Sequence, residues 1–224
     1  MNADTDLRLV RLLQLASPAL PVGAYSYSQG LEAGVEAGIV RDASSAQRWI
    51  DDVLTWSVAR MEAPVMLRLY AAWRAGDGAA VARWNALFVA SREAAELRAE
   101  SVQMGYSLAR LLIELGEGEG LAQLDEPSFP AAFAFAAARW RIAPDQALVA
   151  YLWAWLENQV MAALKTVPLG QTDGQRILLA LGERIAPLAT EAAALDDEEL
   201  GAFAPGFALL CARHETQYSR LFRS

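Results

Sequence analysis

The segment from Pro144 and Asp145 to about residue 165 constrains this chain more than any other part of it. Two adjacent stripes run along it at helical spacing: Leu148, Leu152 and Trp155, then Val149, Trp153, Leu156, Val160 and Leu164. Ala150, Ala154, Ala162 and Ala163 fill the gaps, so a helix here is apolar around most of its circumference. Such a helix has to be surrounded by others and belongs in the middle of a bundle.

Helical periodicity extends over nearly the whole chain. Leu9, Leu12, Leu13 and Ala16 follow the i, i+3, i+4, i+7 rule, which predicts one buried face for an N-terminal helix. Ser17-Pro18 stops that helix, because proline lacks the amide and restricts its predecessor. Further helices are expected over about 28–37, 44–59, 64–75, 78–90, 91–115, 128–142 and 174–188. Pro64 suits a first helical turn, and Asp77 suits an N-cap. No stretch alternates with a period of two, so a sheet is not expected. Gly116 to Gly120, with glycine at every second position, reads as a surface loop within one domain. The expected fold is all-α: a single helical bundle domain of about eight to ten helices over residues 1–212, followed by a tail, 213–224.

The composition excludes several function classes. Apolar residues make up 54 % of the 224, too many for wholesale disorder. The wholly apolar runs Ala131–Ala138 and Ala147–Leu156 both fall far short of the roughly 20 residues that span a bilayer. The first six residues have neither the positive charge nor the apolar run of a signal peptide, so the expected location is cytoplasmic, off the membrane. Net charge is −8, and acids outnumber arginines in the first sixty residues, which argues against nucleic-acid binding. Cys211 and His214 are the single cysteine and the single histidine. One copy of the chain therefore makes no internal disulfide and no conventional soft-ligand metal site, and no cofactor is expected. A lone histidine near a chain end reads as a surface contact. The acidic run Asp196–Glu199 reads as complementing a helix dipole. There is no Gly-x-Ser-x-Gly elbow and no P-loop, so no catalytic apparatus is recognised.

Three segments carry more chemistry than a helical fold needs. Between Leu15 and Glu32, two prolines are followed by Tyr25, Ser26, Tyr27, Ser28 and Gln29, and tyrosines in a short connection suit a surface read by a partner. In the second, Glu157, Asn158 and Gln159 place polar groups on the apolar helix, implying an internal network or a protein interface. Pro168 and Gly170 then make a bend flanked by Gln171 and Gln175, with Thr172 or Asp173 available as a cap. In the third, the tail from Arg213, Tyr218, Leu221 and Phe222 would share one helical face while Arg220 and Arg223 sit away from it. A basic, aromatic segment on an acidic body can fold back onto that body or dock in a partner's groove.

Those three blocks, with Arg92-Glu93, Glu96-Leu97-Arg98 and Ser101 between them, resemble in order the signatures of the urease accessory protein F (UreF) family. The resemblance implies a non-enzymatic, all-α homodimer that binds UreD (UreH in some organisms) and recruits and regulates the nickel-carrying GTPase UreG. The assembly would engage apo-urease for nickel insertion, acting as a chaperone that does not itself hold nickel tightly. On this reading Lys165, Gln171 and Gln175 are candidates for the UreG-facing surface. Tyr218, Arg220, Leu221, Phe222 and Arg223 are candidates for docking UreD, and Tyr25 and Tyr27 for shaping either surface or the dimer seam. The alternative is a helical small-ligand protein or enzyme with a pocket lined by some of the seven tryptophans.

Overall fold

The computed structural model describes residues 3–224, and among them there are helices, turns and loops but no strand. The chain runs through α1 (Ala3–Ala16), α2 (Leu31–Glu36), α3 (Ala43–Val53), α4 (Ala63–Ala75), α5 (Gly78–Ser91) and α6 (Ala95–Glu114). It continues through α7 (Phe129–Arg139), α8 (Pro144–Thr166), α9 (Gln171–Ala194) and α10 (Pro205–His214). This is the all-α bundle expected from the sequence.

α8 is its centre. It packs against α1, α2, α4, α7 and α9, and Leu148, Leu152, Leu156 and Val160 are all fully buried. The Tyr151 ring meets Phe133 of α7 edge-on, with centroids 5.1 Å apart. Gly105 lets α6 lie directly against the chain entering α7: a Cβ there would collide with the backbone of Pro127, Ser128 and Phe129.

Two local expectations are corrected. Pro64 lies in the first turn of α4 as expected but not at a free helix start, since α3 and α4 form one continuous helix joined by a π-helical segment, Leu54–Glu62. Pro64 cannot donate to the Arg60 carbonyl, so that carbonyl accepts from Gly201 N–H (3.2 Å) instead. The Trp56 carbonyl accepts from Phe203 N–H (2.9 Å), and the chain entering α10 is thereby tied to the π segment. The second correction concerns α1. Leu15 is buried and Leu12 and Ala16 pack half-buried against the core as expected, but Leu7, Leu9, Val10 and Leu13 face outward, Leu13 with 62 % of its surface exposed. Asp77 does cap α5, its carboxylate accepting from Ala80 N–H at 2.9 Å. No helix among the described residues is long and apolar enough to cross a membrane.

Candidate functional site

Gln29 and Gly30 are consecutive residues in the left-handed region, with φ of 49° and 74°. The glycine takes this conformation at no steric cost, whereas Gln29 is strained by it. A side chain on Gly30 would also strike the Cys211 sulfur. The double turn sends the Gln29 side chain inward. Its amide donates to Glu100 Oε1 (2.7 Å), and its oxygen accepts from the Trp155 indole (2.7 Å). Asn158 on α8 donates to the Tyr27 carbonyl (3.2 Å), so part of the Glu157–Gln159 cluster does serve an internal network. The N-terminal loop is thus sewn to α6 and α8.

The tail forms a strap over this loop. α10 ends at His214, and residues 215–224 are not helical. The expected shared helical face is replaced by a chain of turns and bends: Leu221 and Arg223 are exposed, Phe222 and Ser224 buried. Glu32 on α2 captures the strap backbone, accepting from Leu221 N–H (2.7 Å) and Phe222 N–H (2.9 Å). Arg223 N–H donates to the Ser26 carbonyl (2.9 Å). The Ser224 carbonyl accepts from both the amide (2.8 Å) and the hydroxyl (2.6 Å) of Ser28. The Ser224 hydroxyl donates to Glu100 Oε2 at 2.6 Å. Arg220 pairs with Glu96 on α6.

His214 is not a surface contact, as the sequence suggested, but fully buried. Its Nδ1 faces Glu96 (2.6 Å) and its Nε2 faces Glu32 (3.2 Å). Glu215 next to it accepts from Ala95 N–H (2.7 Å), capping α6.

The candidate site residues divide accordingly. Tyr25 is exposed, but Tyr27 is buried (5 %), and burial followed by the nearby Glu100 raises its phenol pKa. Phe222 is equally buried (5 %), so of the five strap candidates Tyr218, Arg220, Leu221 and Arg223 are presented to solvent. Lys165 lies between the Tyr25 ring (5.9 Å) and the Phe222 ring (5.5 Å), which links the end of α8 to both loop and strap. Gln171 and Gln175 stand exposed on the first turns of α9, and Leu179, one turn further on the same ridge, is exposed too. Sequence reasoning missed Leu179 and Glu100 and had Glu96 only as part of a family motif; a regular outward apolar residue on α9 was the available signal for the first.

Behind the loop lies a cavity of about 290 Å³ lined by Leu15, Phe88, Arg92, Met104, Tyr151 and Trp155 among others. Trp155 is the one tryptophan in its wall. Glu62 and Arg92 form a buried pair there (2.7 Å; side chains 7 % and 6 % exposed), and Tyr151 donates to Glu62 at 2.9 Å. Burial works against the Arg92 charge, but Glu62 beside it prevails and the pKa rises. Burial lifts the Glu100 carboxyl to about 7, with the bonds from Ser224 and Gln29 pulling the other way. Burial also pushes the Cys211 thiol up to about 12, so it is not a reactive thiol. Among the described residues no three His, Cys, Asp or Glu side chains are placed to hold a metal ion together.

The UreF family profile matches residues 40–182. The chain belongs to the UreF family of urease accessory proteins. It is 61 % identical to the urease accessory protein UreF of Azoarcus sp. (strain BH72), over 97 % of this chain and 96 % of that one. It is 55 % identical to the protein of that name from Dechloromonas aromatica, over 98 % and 99 % of the two chains. Against that from Alkalilimnicola ehrlichii it is 50 % identical over the full length of both. The family profile covers α3 to α8 entire but not the strap, whereas the full-length match takes in both loop and strap.

Proposed function

We propose that this chain is a dimeric, non-catalytic scaffold of urease maturation in the cytoplasm, which binds UreD (UreH) and recruits and regulates the GTPase UreG for nickel insertion into apo-urease. The observation that carries the reading is the junction at Lys165, where the N-terminal loop, the strap and the end of α8 come together. A scaffold needs surfaces held in fixed relation, and the side chains left outward at this junction are of the kind interfaces use. The strap offers Tyr218, Leu221, Arg220 and Arg223 to UreD, with Tyr25 beside them; Phe222 and Tyr27 support that surface from beneath. Gln171, Gln175 and Leu179 offer a ridge to UreG, one bend away from Lys165. The outward apolar face of α1 is the dimer seam, since four large aliphatic side chains on one surface helix favour burial against a second copy. Coupling to UreG works through contacts that differ between the GTPase's nucleotide states.

Co-expression with UreD and UreG from one source, followed by size-exclusion chromatography with mass detection, tests the assembly. Co-elution of two copies of each chain is the expected result. Leu221→Asp should lose UreD while the chain stays folded, and Gln175→Ala with Leu179→Ala should lose UreG alone. A chain that elutes by itself beside soluble, folded partners would overturn the reading. The cavity favours a second reading as a small-ligand protein. A thermal shift with small ligands but none with UreD or UreG would put that reading first.

A further inference from the structure

His214 sits where three parts of the fold meet: Glu32 faces it from α2, Glu96 from α6, and Arg220 of the strap reaches it through Glu96. Carboxylate oxygens offer lone pairs. A neutral imidazole has one N–H and one bare nitrogen. Two carboxylates, one at each ring nitrogen, are therefore both bonded only if the cluster holds one proton more than a neutral ring supplies. The strap decides where that proton resides. Arg220 already donates to Glu96, and the amides of Leu221 and Phe222 to Glu32, so the donor–acceptor pattern leaves the ring as the place for the extra proton.

We propose that the strap is a proton-operated clasp, closed over α2 and α6 while His214 carries both ring protons and loosened when the ring gives one up. The ring is wholly buried, so a deprotonated nitrogen facing a carboxylate has no water to turn to. The carboxylates that would be repelled are the ones gripping the strap: Glu32 holds two of its backbone amides and Glu96 holds its arginine. Opening thus follows from rising pH.

The other charged groups nearby do not substitute for the ring. Arg213 flanks it on α10 and is exposed, and Glu215 is engaged at Ala95. Arg92, Glu93 and Glu100 lie around Cys211, one turn earlier on α10. Glu100 touches the strap at Ser224 rather than at Leu221 or Phe222. The clasp stands or falls independently of the partners named above.

The test uses the full chain, labelled with ¹⁵N, whose single histidine gives one pair of ring signals. Hydrogen exchange at Leu221 and Phe222 is followed in the same samples from about pH 5.5 to about pH 9, a range that spans ordinary imidazole titration. Two ring N–H groups are expected at the acid end, with both amides protected. Their protection, relative to that of α8, should fall at least about tenfold where the second ring N–H signal is lost, which corresponds to losing a hydrogen bond to a charged group. Glu96→Gln isolates the proton. Its amide can donate to a bare Nδ1 while its carbonyl accepts from Arg220, so the strap should stay closed with little dependence on pH. Glu100 is present in both chains, so its own titration cancels in the comparison. A wild-type ring with a single N–H throughout and an unchanged, protected strap would overturn the clasp. So would a folded Glu96→Gln chain with the wild-type pH dependence. If that variant does not fold, by far-UV circular dichroism, the wild-type ring signals decide alone.

Discussion

Glu100 is a buried carboxyl that holds its proton well above the ordinary carboxylate range. It is buried between α6, the Gln29 turn and Ser224, and burial carries it from the ordinary 4.5 to about 7. The folded chain therefore keeps a proton that the unfolded chain has released between these values. What Glu100 contributes to stability therefore falls as pH rises from 4.5 through about 7 and is level above that. At about 1.4 kcal/mol per pH unit, the Glu100 contribution to this fall is roughly 3 kcal/mol. Glu100→Gln removes the titration and leaves the packing. The glutamine oxygen can accept from the Gln29 amide, and its own amide can donate to the Ser224 hydroxyl, which accepts as readily as it donates.

The assay is urea unfolding of both chains at several pH values from 4.5 to 8, read by far-UV circular dichroism. Relative to wild type, the variant should gain up to about 3 kcal/mol between the acid and the alkaline end, with unchanged m-values. The pH dependence of the difference, not its absolute value, carries the argument, since the substitution also alters local packing by a constant amount. A difference that stays flat with pH would mean that Glu100 titrates at its ordinary value. A difference that grows toward acid would mean that the buried carboxylate is stabilised by Arg92 more than burial destabilises it.

Glu62→Ala strands the Arg92 charge in the core and should cost about 3–5 kcal/mol, whereas replacing both by Met should recover most of that loss; thermal unfolding of the three chains decides. A double replacement no better than the single one would refute the pairing. Gly105→Ala forces α6 away from the Pro127–Phe129 backbone and should cost about 3 kcal/mol in urea unfolding, since the neighbouring atoms are main chain and cannot rotate aside. Replacing Leu9, Val10 and Leu13 together by Gln should yield a monomer by light scattering with a Tm within a few degrees of wild type, because those side chains contribute little to the fold of one copy.

The sequence and the structure agree where a local pattern has a single physical outcome. α8 has no polar face to turn toward water, so its central place follows from its composition. Asp77 caps α5 because nothing distant competes for its carboxylate. α1 is different: its apolar residues sit on more than one side, and periodicity does not say which side meets the body of the protein. The body takes the side of Leu15, and the Leu9–Leu13 side is left outward. Pro64 was misleading for a related reason. A proline that cannot donate normally marks a helix start, but here the carbonyl it leaves unbonded is taken up by Gly201, 141 residues from Arg60 in the chain. The strap is the clearest case of tertiary context prevailing over local pattern. Its side chains repeat at helical spacing, yet a helix would keep the amides of Leu221, Phe222 and Arg223 for itself. Glu32 takes the first two and Ser26 the third, and Ser224 is anchored by Ser28 and Glu100. Each of these partners lies more than a hundred residues away in the chain. A terminal segment held by charge-assisted bonds to its backbone, with one aromatic ring buried, can be let go without unfolding the helices beneath it. Its remaining side chains are left facing outward, where a second protein can read them.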